Sequence, residues 1–145
     1  MKLKQDSLPL AKALDELIAG EPAYFCTPGH RFENGISDEL ISRFGRGIFR
    51  YDLTETYGLD DLHDPTGAIE EEQRLLRALY KADYSRFLVN GTTCGNEALI
   101  MSVCRDNDEM IVARNCHQSV ISGMVLSGAR PVYVQPEYDE TFGIY

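Results

Sequence analysis

The chain has 145 residues, of which 43% are hydrophobic and 26% charged, and its 23 Asp+Glu against 14 Lys+Arg give a net charge of −9. This is the composition of a globular protein able to bury a core, and it argues against disorder. The acidity argues against nucleic acid and anionic membranes as partners, since both call for clustered Lys and Arg. An acidic surface attracts cations weakly, which suits a basic substrate without showing one.

The N-terminus, MKLKQDSLPL, lacks the apolar run of a signal peptide, and no stretch approaches the ~18 apolar residues of a membrane helix. Cys26, Cys94, Cys104 and Cys116 form neither a C-x-x-C pair nor a zinc spacing. A reduced, cytoplasmic location is the expectation.

Leu10, Leu14, Leu17 and Ile18 recur at helical spacing from Pro9 to Ile18, and Gly20 and Pro22 stop that helix. The run YFCTPGHRFENG then reads as an ordered loop. Ser37 to Phe44 reads as a short helix, with Ser37 as N-cap and Gly45 as stop. Phe49 to Gly67, dense in Asp, Thr and Gly, reads as irregular, and so long a loop points to function or to incomplete packing.

From Ala68 to Lys81 the pattern is strongly helical, with Glu70, Glu71 and Glu72 in the first turn, where the helix dipole favours them. Next come a strand over Arg86–Asn90, a helix over Thr93–Cys104 and a strand over Glu109–Ala113. A helix from His117 to Leu126, ended by Ser127-Gly128, and a strand from Pro131 to Gln135 complete the series. Strands alternating with helices through short joins predict an α/β parallel sheet with right-handed crossovers. Since a parallel sheet needs both faces covered, the series reads as the opening half of a larger α/β domain. The alternative is a compact small domain covered by the N-terminal helices.

The most informative segment is Val89-Asn90-Gly91-Thr92-Thr93-Cys94-Gly95-Asn96. A strand that runs into a helix through N-G-T-T presents unpaired backbone N–H groups and the positive end of a helix dipole. Gly91 permits close approach of an anion, and Thr92 and Thr93 add hydroxyls, so the turn suits a phosphate. The competing reading is that Thr92 or Thr93 caps the helix. No G-x-G-x-x-G and no G-x-x-x-x-G-K-[ST] occurs, which disfavours a dinucleotide or a triphosphate.

Arg114-Asn115-Cys116-His117-Gln118-Ser119 follows the second expected strand, and α/β proteins place ligands at the carboxyl ends of such strands. The Asn90 turn and His117 are therefore expected on one edge of the sheet. There His117 could stack on an aromatic ligand, or be satisfied locally near a helix N-terminus. A Cys116–His117 nucleophile pair is disfavoured, because adjacent side chains rarely face each other.

Asp52-Leu53-Thr54-Glu55 and Gly58-Leu59-Asp60-Asp61-Leu62-His63-Asp64-Pro65 crowd carboxylates around one histidine. The D-D-x-H-D run resembles a hard-cation set, but carboxylates close in sequence rarely converge, and no metal is expected. The readings left open are capping of loop N–H groups and recognition of a cationic substrate group. His30, in Thr27-Pro28-Gly29-His30, is either a residue of a structured turn or a site residue.

In order along the chain, TPGH, DLTE, GLDDLHDPTG, FLVNGTTCGN and RNCHQS resemble the Orn/Lys/Arg decarboxylase family, in the branch that begins directly with TPGH. The resemblance runs from about residue 5 to the end. It implies the aspartate-aminotransferase-like fold type I, whose large domain is a three-layer structure around a parallel sheet. Here that fold would be partial. Residues 1–67 would form the N-terminal helix and an active-site and dimer loop segment, and residues 68–145 the first part of the large domain. It implies pyridoxal 5'-phosphate (PLP) as cofactor, a basic amino acid (arginine, lysine or ornithine) as substrate, a role in polyamine metabolism, and homodimers or higher assemblies when complete.

Carried over residue by residue, the resemblance gives the cofactor phosphate to Thr92 and Thr93, with Gly91 shaping the turn. It gives stacking on the cofactor ring to His117. His30, Glu55, Asp60 and Asp61 become weaker candidates for the substrate or dimer site.

Two departures stand out. Gln118 occupies the place where the family usually has Lys. None of Lys2, Lys4, Lys12 and Lys81 sits in the family's S-x-H-K setting, so the Schiff-base lysine is absent, as is the D-x-A-H segment that meets the ring nitrogen. The expectation is an N-terminal fragment of a decarboxylase, inactive alone. The alternatives are a non-catalytic stand-alone relative that acts as a binding or interaction module, and a small phosphate-ligand α/β module unrelated to PLP.

Overall fold

A computed structural model describes residues 4–145, and these fall into two compact units that divide between Phe87 and Leu88. Helix α1 (Pro9–Ala19) and helix α4 (Ala68–Tyr80) pack together in the first unit. Pro9 sits where a missing N–H costs nothing. Gly20 closes α1 by donating to the Glu16 and Leu17 carbonyls. Ile69 and Leu75 of α4 are buried, and Glu72 at its side accepts the Leu10 N–H at 3.4 Å. Lys81 ends α4 in the left-handed conformation, at φ 53°.

Two short helices lie between these, α2 (Asp38–Phe44) and α3 (Gly47–Tyr51), and a 3-10 turn spans Arg31–Glu33. Ser37 caps α2 as expected, its hydroxyl accepting the Leu40 N–H at 3.4 Å. The start of the stretch read as irregular is instead α3, too short for any periodicity to show in the sequence. What holds it is tertiary: Arg46 and Arg50 reach Glu33 at 3.8 and 3.2 Å, and Tyr51 donates to Asp15. Tyr24 and Phe32, both buried, meet edge to face with ring centroids 4.9 Å apart.

The second unit contains helix α5 (Gly91–Val103), strand β1 (Glu109–Ala113), helix α6 (Gln118–Ser127) and strand β2 (Arg130–Val134). The strands pair in parallel, with Glu109 opposite Arg130 and Ala113 opposite Val134. The core is Ile100 of α5, Val112 of β1, Met124 of α6 and Ala129, with Met110, Val120 and Ile121 packed against it. Burying an aliphatic or Met side chain of this kind contributes about 1.5–3 kcal/mol. β1 alternates as a half-buried strand does: Val112 is 6% exposed and its neighbour Ile111 is 74% exposed.

The mixed helix-and-strand class with a small parallel sheet is as expected, but the strand count is not. The segment at Arg86–Asn90 forms no strand, and the described residues contain two paired strands rather than three. A strand needs a neighbour to take its N–H and C=O groups. None pairs with this segment among the described residues, and Leu88 and Val89 stand exposed. No helix among the described residues is long and apolar enough to cross a membrane.

Candidate functional site

Helix α5 begins at Gly91, so Thr92 and Thr93 lie inside its first turn rather than at its cap. Gly91 has φ 73°, a region that disfavours any residue with a Cβ, and the space a Cβ would fill there is open. The N-cap is Asn90, among the best capping residues, yet its side chain makes no cap bond. The first turn holds no acidic side chain, and Gly91, Thr92 and Thr93 are exposed. The expected alternative, a threonine cap, is therefore not what forms. Among the described residues the first-turn amides have no side-chain partner, and Thr92 and Thr93 bring two hydroxyls to the same turn.

His117 is the N-cap of α6. Its Nδ1 accepts the Ser119 backbone N–H at 3.1 Å and lies 2.8 Å from the Ser119 hydroxyl. The Ser119 hydroxyl also accepts the Asn96 side-chain N–H at 2.8 Å. Asn96 is in the second turn of α5, and Ser119 is only 2% exposed. This bond draws the N-terminal ends of α5 and α6 together. One helical turn farther along the interface, Gly123 lets the helices approach closely: a Cβ there would meet Ile100 Cδ1 at 2.8 Å. Thr93 precedes Asn96 by less than a turn, about 4.5 Å along the axis, so the histidine cap and the uncapped turn share one end of the helix pair.

Sequence reasoning selected Gly91, Thr92, Thr93 and His117 but passed over Asn96 and Ser119. The available signal was the H-x-S spacing, which places a hydroxyl two residues into a helix that a histidine opens.

In the first unit the acidic loop turns inward on its own backbone. The Asp60 carboxylate accepts N–H groups from Asp61, Thr66, Gly67, Ile69 and Glu70, four of them at or below 3.0 Å. Burial pushes this carboxyl up, but the backbone N–H bonds, led by Thr66 and Gly67, outweigh it and hold it at about 2. Asp61 accepts the His63 and Asp64 N–H groups, and Glu55 accepts that of Leu62 at 2.6 Å.

His30 is largely buried. Its Nε2 lies 3.2 Å from Asp52, its ring meets Phe49 at 5.9 Å, and its Nδ1 has no partner among the described residues. No group of three or more His, Cys, Asp or Glu among the described residues is placed to hold a metal ion.

The chain matches the family described as Orn/Lys/Arg decarboxylase, major domain, over residues 8–145. It is 45% identical over 136 residues to the uncharacterized protein YaaO of Bacillus subtilis, covering 94% of this chain and 28% of that one. It is 38% identical to an arginine decarboxylase of Bacillus anthracis, covering 99% of this chain and 29% of the relative. The chain thus spans under a third of the curated relatives it matches. Among solved structures, the constitutive lysine decarboxylase of Escherichia coli superposes with a TM-score of 0.77 at 25% identity, over 95% of this chain and 20% of that one. The ordered motifs, the fold and these matches agree, and the chain belongs to the Orn/Lys/Arg decarboxylase family.

Proposed function

We propose that this chain carries the phosphate anchor and ring platform for pyridoxal 5'-phosphate in a decarboxylase of basic amino acids. The observation that carries this reading is the shared end of α5 and α6. There, the first turn of α5, with amides that no cap side chain takes and with Thr92 and Thr93, is tied through Asn96 and Ser119 to the imidazole of His117.

The donor set fits the group. A phosphate needs N–H and O–H donors without competing carboxylates, and the first turn of α5 supplies donors and no acid. When bound, the cofactor's protonated pyridine ring accepts the electrons left behind as CO₂ departs. Thr92, Thr93 and the first-turn amides would hold the phosphate, and His117 would face the ring. Glu55, Asp60 and Asp61 receive no step, since their carboxylates bind backbone N–H groups of their own loop.

The lysine for covalent attachment would come from outside these residues, as would the acid at the ring nitrogen. Lys12 is paired with Glu16 at 3.7 Å, and Lys81 closes α4. In the same reading, β1, β2 and the helices beside them are part of the three-layer fold type I domain.

Titrating the 145-residue chain with PLP, followed by phosphorus NMR and cofactor absorbance, tests this. Saturable binding that inorganic phosphate competes away is expected. Thr92→Ala/Thr93→Ala should weaken it about tenfold or more, the worth of one hydrogen bond to a charged group. Binding that ignores both threonines would refute the anchor.

A further inference from the structure

We propose that Asn96 and Ser119 are positioning residues for His117, forming a relay that fixes the imidazole's tautomer and orientation and ties it to the helix bearing the phosphate turn. The proposal deepens the reading of His117 as a ring platform, and rests on it for its functional meaning.

The proton count follows from the donors. The Asn96 side-chain amide donates to the Ser119 hydroxyl at 2.8 Å. The hydroxyl keeps its single proton free to donate to His117 Nδ1, 2.8 Å away. The Ser119 backbone N–H points at the same nitrogen at 3.1 Å. Two donors on Nδ1 leave it no hydrogen of its own, so the neutral ring carries its proton on Nε2.

The relay is also a ruler. Ser119 is one of the most buried polar residues of the unit, and it joins the first turn of α6 to the second turn of α5. The close contact at Gly123 against Ile100 keeps the helices from sliding. The ring platform is thereby set at a fixed distance from the Gly91-Thr92-Thr93 turn. A ligand with a phosphate at one end and an aromatic ring at the other needs such a constant spacing.

The test uses the full 145-residue chain labelled with ¹⁵N-histidine, with His117 assigned by its loss in His117→Gln. Long-range proton–nitrogen correlation should show His117 with an acceptor Nδ1 and a protonated Nε2. Ser119→Ala should shift the tautomer ratio about fivefold toward the other form, the worth of one ordinary hydrogen bond. Asn96→Ala should move it the same way by less, and should increase ring mobility in ¹⁵N relaxation. A merely structural role would lower stability without changing the tautomer.

The affinities separate the two levels of the argument. Both variants should weaken PLP binding while leaving inorganic phosphate within about twofold, since the anchor's own hydrogen bonds remain in place. An unchanged tautomer and unchanged ring motion in both variants would overturn the relay, whatever PLP does. A shifted tautomer with PLP affinity unaltered in His117→Gln would instead remove the platform role and, with it, the relay's functional meaning.

Discussion

Helices α4 and α5 pose the same problem and receive opposite solutions. Each is 13 residues long, and each begins with amides that have no partner within the helix. At α4 the chain answers from within: Asp60 reaches back over the intervening turn to accept from Gly67, Ile69 and Glu70, and Glu70 and Glu71 add acidity to the first turn. At α5 it does not: Asn90 makes no cap bond, no acid lies in the first turn, and no side chain among the described residues takes the donors. A helix end neutralised by its own chain contributes stability. One left open is available to an external anion, and in this chain it shares one end of the helix pair with the His117 cap.

The largest effect should come from breaking the closed end. Asp60→Ala removes one acceptor from several amides at once, and a loss of about 2–3 kcal/mol is expected, read from the urea midpoint. A loss near zero would mean that α4 does not depend on the cap.

The acid dependence sharpens the point. The Asp60 carboxyl is held at about 2, below the ordinary value of about 3.9 expected when unfolded. Its contribution is therefore complete above about pH 4 and fades as the pH falls toward about 2. The stability gap between the native chain and Asp60→Asn should narrow over that window.

Next in size, Gly123→Ala should cost about 1–2 kcal/mol by wedging α5 from α6, and should disturb the His117 tautomer along with it. Gly91→Ala should cost about 1 kcal/mol through backbone strain alone, because nothing lies where its Cβ would go. The smallest effect on folding belongs to Thr92→Ala and Thr93→Ala, each within about 0.5 kcal/mol of native. That near-silence, set against a clear loss of PLP, is what an open helix end should show, whereas a large stability loss would make the threonines part of the fold instead.

Much of this was legible in the residues. The apolar spacing of α1, the serine cap of α2, the helix signals around α5 and α6, and the strands β1 and β2 were all readable. These are local patterns, set by residues within a few positions of each other. The expected strand at Arg86–Asn90 failed because its apolar run satisfies only half the requirement: a strand also needs a neighbour. Helix α3 was missed because its five residues owe their shape to Glu33 and Asp15, far off in sequence.

By itself the sequence determined the family, through the order of TPGH, DLTE, GLDDLHDPTG, FLVNGTTCGN and RNCHQS, and it singled out Gly91, Thr92, Thr93 and His117. Only the tertiary structure decided which polar groups are already engaged. Asp60 bonds an amide ten residues away, and Asn96 bonds a hydroxyl 23 residues away. Composition offers every carboxylate and amide as a candidate, while the path of the chain determines which of them meet. That path closes the end of α4 and leaves the end of α5 open beside a histidine whose tautomer the neighbouring helix helps to set.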